Sequence, residues 1–335
     1  MSLSTWPIYG HQWVVDLLDR GLRAGRLPHA LLLAGPQQVG KRTLATALAA
    51  ALICTGGQKP CGQCRACRLT AQGVHPDVRL VAADDSERGR EGVLKIDQIR
   101  AVQREAALAP MEAPRKVFIL RELERANLPA ANALLKTLEE PPPQVVLLLT
   151  SARPHALLPT IISRCQVLNL HSLPRQQIAA ALTAHWGASN QQAELLARLA
   201  DGRLGWAVQR LTDSQAREER VRRLAEARDL PQQSRLQRLA YADELSRSPA
   251  TLLPTLALWA SWWRDLLLVQ QGCAGWLRNV DLADELALEA ARFDPGQVHA
   301  YLARLHAAPA QINQNANARL LLETLVLHMP AVLSV

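Results

Sequence analysis

Four cysteines crowd into fourteen residues. Cys54, Cys61, Cys64 and Cys67 form C-x6-C-x2-C-x2-C, while Cys165 and Cys273 lie elsewhere. Two residues between ligands let the chain turn so that successive sulfurs face a common centre, and zinc takes four thiolates in a tetrahedron at about 2.3 Å. Gly56, Gly57, Pro60 and Gly62 supply turn-forming residues around the set. With all four positions filled by sulfur no place remains for a reacting water, so such a zinc is structural. The same ligand type also suits an iron–sulfur cluster.

A second group follows an apolar run, Ala30–Ala34. Gly35-Pro36-Gln37-Gln38-Val39-Gly40-Lys41 reads G-x4-G-K and opens a helical stretch. Backbone N–H groups and a helix N-terminus make an anion cradle there, with Gly35, Gly40 and Lys41 as the phosphate-binding candidates. A full phosphate loop continues with Ser or Thr for magnesium. This one continues with Arg42, and Thr43 comes one position late. The partner half of such a site is an acidic pair closing an apolar strand. Lys116–Leu120 is that strand, yet Arg121-Glu122 follows it. A guanidinium where the metal-associated carboxylate belongs repels the metal. Without metal, Glu122 reads as an ordinary surface carboxylate. Hydrolysis of ATP by this chain is therefore not expected, and its binding is doubtful.

These residues need a scaffold. The runs Ala30–Ala34, Val78–Val81, Lys116–Leu120, Val145–Thr150 and Val167–Leu170 are near-continuously apolar, as strands buried on both faces are. Helical patterns separate them at about Arg42–Cys54, Asp97–Ala107 and Leu128–Glu140. In the last, Ala131, Leu134, Leu135 and Leu138 form one stripe, ended by Pro141-Pro142-Pro143. Strand–helix alternation predicts an α/β domain on a mostly parallel sheet. Beyond about His171 only helical patterns remain, with Leu173–Trp186 and Gln191–Ala200 as short helices closed by Asp201-Gly202. Trp259, Trp262 and Trp263, with Leu253, Leu256 and Ala257 before them, read as packing between helices of a C-terminal bundle. The expected division is 1–168 (α/β, with the cysteine module at 54–67), 169–210 (small helical lid) and 211–335 (helical collar for oligomerisation).

Composition narrows the classes. The 335 residues carry 38 basic and 30 acidic side chains and are 49% hydrophobic, which fits two or three globular domains. Residues 1–168 hold 21 basic and 14 acidic residues and the remainder 17 and 16, so the charge of +8 sits almost wholly in the first half. Only five basic residues are lysines. The N-terminus lacks a basic segment followed by an apolar one, so no secretory leader is expected. The longest apolar stretch, Leu252–Val269, is interrupted by Pro254, Arg264 and Asp265, which a bilayer would penalise. A cytoplasmic protein is the expectation.

Several segments together carry a resemblance: Ala130–Pro142 (AANALLKTLEEPP), Leu157–Gln166 (LLPTIISRCQ), His75-Pro76-Asp77 after the cysteines, and Ile96-Asp97-Gln98-Ile99-Arg100. The chain resembles the clamp-loader AAA+ family of bacterial DNA polymerase III, densely from about Leu27 to Val167. The resemblance implies an α/β P-loop domain with a lid and a helical collar. It also implies assembly with gamma/tau and delta subunits into a five-membered arc that uses ATP to place a sliding clamp on primed DNA, within a nucleotidyltransferase holoenzyme. The family's Ser-Arg-Cys motif lends an arginine to the ATP of the neighbouring subunit; here it is Ser163-Arg164-Cys165, with Arg164 the reactive member. ATPase members carry a sensing arginine in the lid three residues after a glycine. In Asp201-Gly202-Arg203-Leu204-Gly205 that place falls on Gly205, unless Arg203 substitutes from a shifted register. With the degraded phosphate site, this matches a non-hydrolysing member rather than a gamma/tau motor. Two other readings are a working AAA+ ATPase using Lys41 and Glu122, and a zinc-containing nucleic-acid-binding protein. Against the second, the cysteine segment offers only Lys59, Arg65 and Arg68 and no aromatic platform for bases.

Overall fold

The computed structural model describes residues 6–83, 92–314 and 316–333. Residues 1–5, part of the segment read for a leader, lie outside them. The chain divides into two units, one of Met1–Ala181 with Asp201–Trp206 and the other of Leu182–Ala200 with Ala207–Val335.

In the first unit the elements run α1 (Gln12–Arg23), β1 (Ala30–Ala34), α2 (Lys41–Ile53), α3 (Arg65–Gln72), β2 (Val78–Val81), α4 (Ile96–Ala106), β3 (Lys116–Leu120), α5 (Leu128–Glu139), β4 (Val145–Ser151), α6 (Pro159–Ile162), β5 (Gln166–Asn169) and the start of α7 (Arg175–Trp186). Among the described residues the strands form one sheet, ordered β2-β3-β4-β1-β5 and parallel throughout. Every residue of β1, β3 and β4 is buried, because helices cover both faces of a parallel sheet. One apolar layer joins α1 and α2 to Leu31, Leu33, Val117 and Ile119. The other joins α4 and α5 to Leu32, Phe118, Leu147 and Leu149. The expected strands and helices all occur, with ends shifted by a residue or two.

The loop between α4 and β3 is tied to the sheet by one carboxylate. Asp77 is 2% exposed and accepts N–H bonds from Met111, Glu112 and Ala113 at 2.7, 2.8 and 2.9 Å. Burial raises its pKa, but these donors and neighbouring His75 outweigh that and hold it below 3.8. Its stabilisation is thus present above the unfolded value and is lost as pH falls through the folded one. Asp77→Ala orphans three donors and is expected to destabilise the fold by about 3 kcal/mol at neutral pH. In urea titrations the gap between variant and wild type should close as the pH drops below 4; a gap that persists at acid pH would remove the charge from the account.

The second unit is helical: α8 (Asn190–Ala200), α9 (Leu204–Thr212, entering from the first unit), α10 (Ser214–Asp229), α11 (Arg235–Ser246), α12 (Pro249–Gln270), α13 (Ala283–Ala290), α14 (Pro295–Asn313) and α15 (Ala318–Leu327). The long α12 packs against α10, α13 and α14. Trp259, Trp262 and Trp263 are buried. Trp259 stacks on Tyr241, while Trp263 meets Phe293 and Tyr301 edge-on at 5.1 and 5.3 Å. Of the packing residues expected one turn earlier, Leu256 is buried, but Leu253 and Ala257 are exposed, and Leu252 and Thr255 are buried in their place. Asp265, fully buried, accepts N–H bonds from Arg278 and Asn279, which removes the cost of a charge inside an apolar helix. No helix among the described residues is long and apolar enough to cross a membrane.

Candidate functional site

The phosphate-type loop follows β1 at the carboxyl edge of the sheet, where open α/β sheets place ligands. Gly40 caps α2 with φ +111°, and Leu44 N–H already bonds its carbonyl at 2.9 Å. Gly35 has φ +144°, and a Cβ there would meet Leu170 O at 2.2 Å, so only glycine fits. Lys41 is 8% exposed and donates from Nζ to Gly35 O and Pro36 O, each at 2.5 Å. Burial lowers its pKa, and the nearby carboxylates of Glu124 and Glu122 oppose that. The lysine is thus turned onto the loop's own carbonyls. Arg42 and Thr43 are exposed.

Two contacts that the sequence did not announce clamp this loop. His11 Nε2 donates to Val39 O at 3.0 Å, and burial lowers its pKa, favouring the neutral ring. Gly205 N–H donates to Gln38 O at 2.9 Å. A Cβ at Gly205 would come within 2.8 Å of that oxygen, so the place where ATPase members carry an arginine admits no side chain without movement of the loop.

After β3 the acidic pair is replaced in geometry as well as in sequence. Glu122 sits in the left-handed region at φ +51°, and its N–H is held by Thr150 Oγ at 3.0 Å. Its carboxylate is engaged by Arg125 Nε at 2.9 Å, with Arg121 Nη2 at 3.8 Å. Sequence reasoning missed Glu124, which accepts the Ala152 N–H at 2.9 Å. It lies two residues beyond the expected pair, where no motif position draws attention to it.

The Ser-Arg-Cys motif lies at the opposite edge. Ser163, Arg164 and Cys165 precede β5, whereas Gly35 follows β1, the strand paired with it in parallel. Five residues at about 3.3 Å each separate the two edges by roughly 15 Å, so Arg164 does not face its own chain's loop. Arg164 Nη2 pairs with Glu139 Oε1 at 2.7 Å, and Nη1 donates to Thr160 O at 3.0 Å. Ser163 Oγ donates to Thr160 O at 3.1 Å. Burial pushes the Cys165 thiol up to about 11, and it packs in the apolar layer with α5. Of the three, only Arg164 offers charge.

The four cysteines converge. Their sulfur atoms all lie within 4.8 Å of one another, with Cys61–Cys67 at 4.0 Å and Cys54–Cys64 at 3.9 Å. A tetrahedron with 2.3 Å ligand bonds has edges of roughly 3.8 Å, so the donor set fits a tetrahedral metal. Backbone N–H groups of Gly56 and Cys61 point at Cys54 Sγ, that of Cys64 at Cys61 Sγ, and that of Cys67 at Cys64 Sγ, all at 3.3–3.4 Å. Burial resists thiolate formation at Cys64, but the N–H groups of Cys67 and Thr55 prevail and bring it to about 5. The N–H groups on Cys61 lower its pKa as well, whereas burial raises those of Cys54 and Cys67, the latter to about 12, so two of the four sulfurs are ready thiolates and two would be deprotonated by a bound cation.

A parallel sheet of this order, with a phosphate-type loop after β1 and the acidic-pair position after β3, defines a P-loop α/β protein of the AAA+ class. Residues 10–174 match the family model described as "DNA polymerase III, delta subunit", and residues 212–330 match "DNA polymerase III, delta subunit, C terminal". The chain belongs to the delta-prime family of DNA polymerase III clamp-loader subunits, in line with the resemblance of its motifs. Similar curated proteins include subunit delta-prime of Pseudomonas aeruginosa, 44% identical over 41% of each chain. Subunit delta-prime of Bacillus subtilis is 36% identical over 56% of this chain and 55% of the relative. Subunit tau of Escherichia coli is 36% identical over 62% and 32%. The matched part spans 41–55% of the length of the delta-prime relatives. Among solved structures, a gamma subunit-related protein from Thermotoga maritima aligns over 93% of this chain and 98% of its own, at 17% identity and a TM-score of 0.44.

Proposed function

We propose that this chain is a non-hydrolysing clamp-loader subunit that completes the ATP site of a neighbouring subunit with Arg164. On this reading residues 1–168 form the AAA+ domain, 169–210 the lid and 211–335 the collar that joins gamma/tau and delta subunits. The complex as a whole acts on a sliding clamp and primed DNA in the cytoplasm. Zinc on Cys54, Cys61, Cys64 and Cys67 holds the excursion between α2 and α3. The observation that carries the reading is the replaced acidic pair: Arg121 stands where a metal-binding carboxylate would, and Glu122 is engaged by Arg125. A loop whose lysine already bonds its own carbonyls supports it further.

The test is magnesium-dependent ATP turnover by the isolated chain. Turnover no faster than buffer is expected, and Glu122→Gln should change nothing. Motor-like turnover that Glu122→Gln abolishes would establish the ATPase reading in its place.

A further inference from the structure

The Arg164 guanidinium is not presented to solvent as an open fork. Each of its terminal nitrogens bonds an acceptor of its own chain, Nη1 the Thr160 carbonyl at 3.0 Å and Nη2 the Glu139 carboxylate at 2.7 Å. Glu139 is the last residue of α5, where Pro141-Pro142-Pro143 stops further helix. A carboxylate there is poorly placed for the helix itself, since the C-terminal end of a helix favours cations. Local helix stability therefore does not explain the charge, whereas its contact with Arg164 does. Carboxylate and phosphate oxygens compete for the same planar donors, and a carboxylate on Nη2 both occupies one of its N–H groups and repels an approaching phosphate of like charge.

We infer that Glu139 is a positioning residue for the trans-acting arginine: it holds Arg164 in a parked pose until a nucleoside triphosphate on the neighbouring subunit displaces the carboxylate. This inference rests on the trans-arginine reading above. The pair is about half exposed at Glu139 and a third at Arg164, so the hold is weak enough to be exchanged for a phosphate. Parking lowers the fraction of subunits ready to engage, and apparent nucleotide affinity falls by that fraction.

The experiment is ATP titration of steady-state turnover in the reconstituted clamp loader carrying wild type, Glu139→Gln, Arg164→Ala or both. Glu139→Gln is expected to lower the ATP concentration for half-maximal turnover by up to about fivefold with unchanged maximal rate, as loss of an exposed ion pair allows. In the Arg164→Ala background the same substitution should produce no shift. If Arg164→Ala is defective while Glu139→Gln matches wild type, lowers the maximal rate, or shifts the double variant equally, the positioning role is overturned and the arginine reading stands. If Arg164→Ala itself turns over at the wild-type rate, both fall.

Discussion

Arg164→Ala is expected to leave the chain folded and assembled while slowing hydrolysis at the one ATP site it faces by about 10³-fold or more, the range known for arginine fingers. The small effect on folding follows from its surroundings. Arg164 is a third exposed, and its partner Glu139 is half exposed; such pairs contribute at most about 1 kcal/mol. The segment is anchored instead by Ile161, which is 1% exposed in the apolar layer under α5. The large effect on catalysis follows from what a guanidinium supplies: a planar, permanently charged fork whose donors match phosphate oxygens as charge builds on them. Arg164→Lys should recover only a small part, since charge returns without the fork. Clamp loading and ATP turnover by the reconstituted complex measure both, with size-exclusion chromatography to show incorporation. A correctly assembled Arg164→Ala complex loading clamps at the normal rate would end the trans role. Because β5 and β1 run in parallel, the motif cannot serve the loop after β1 instead. The position of the arginine on the sheet, more than its motif, supports the proposed role toward a neighbour.

How far these features could be read beforehand depends on whether their signal is local. The strands at Ala30–Ala34 and Lys116–Leu120 have the bounds expected from the sequence, because a buried parallel strand is a continuous apolar run closed by polar residues; Val78–Val81 keeps its expected bounds too, but as an edge strand with Arg79 and Leu80 exposed rather than buried on both faces. The four cysteines were equally legible, since the spacing that brings sulfurs together lies within one turn-rich segment. In α12 the run Leu252–Trp263 is apolar on nearly every side and includes Pro254 and Thr255. Its phase was therefore ambiguous, and the buried Thr255, which bonds Thr251 O at 2.8 Å, carries a core position that a hydrophobic pattern cannot show. The clamps on the phosphate-type loop had no local signal at all. His11 and Gly205 reach Val39 and Gln38 across 28 and 167 positions of sequence, one through a ring nitrogen and the other through its backbone N–H. Glu139 belonged to a conspicuous motif, but only the fold brings it to Arg164.

Removing the proposed zinc is expected to give the largest change in stability. Structural zinc in isolated finger peptides supplies about 10–16 kcal/mol of folding free energy, because the site does not exist in the unfolded chain. Here the loss should be smaller and confined. The helix α2 is fixed independently by its burial against the sheet, whereas the excursion from Cys54 to Cys67 has little apolar core beyond Ala50 and the cysteines themselves. Four sulfurs within 4.8 Å of one another also lose the bonds that draw them to a common centre once the cation between them is gone. Reduced protein should contain one zinc per chain. Chelation, or Cys64→Ser, should release it, expose the bonds between Thr55 and Arg65 to protease, and lower the unfolding midpoint of the first unit by roughly 10 °C, the shift expected for a loss of about 4 kcal/mol. Cys273→Ser, at an exposed thiol remote in sequence from the cluster, should change neither metal content nor midpoint. Fresh reduced protein without zinc, and with a midpoint indifferent to chelator, would leave the four sulfurs as free thiols packed by chance. Iron in zinc's place, with the absorbance of a cluster, would keep the scaffold role and change the metal. The direction of the effect is set by geometry: a chain segment too polar to fold on its own apolar content needs a cation at its centre, and the backbone N–H groups aimed at Cys54, Cys61 and Cys64 stabilise the thiolates that hold one.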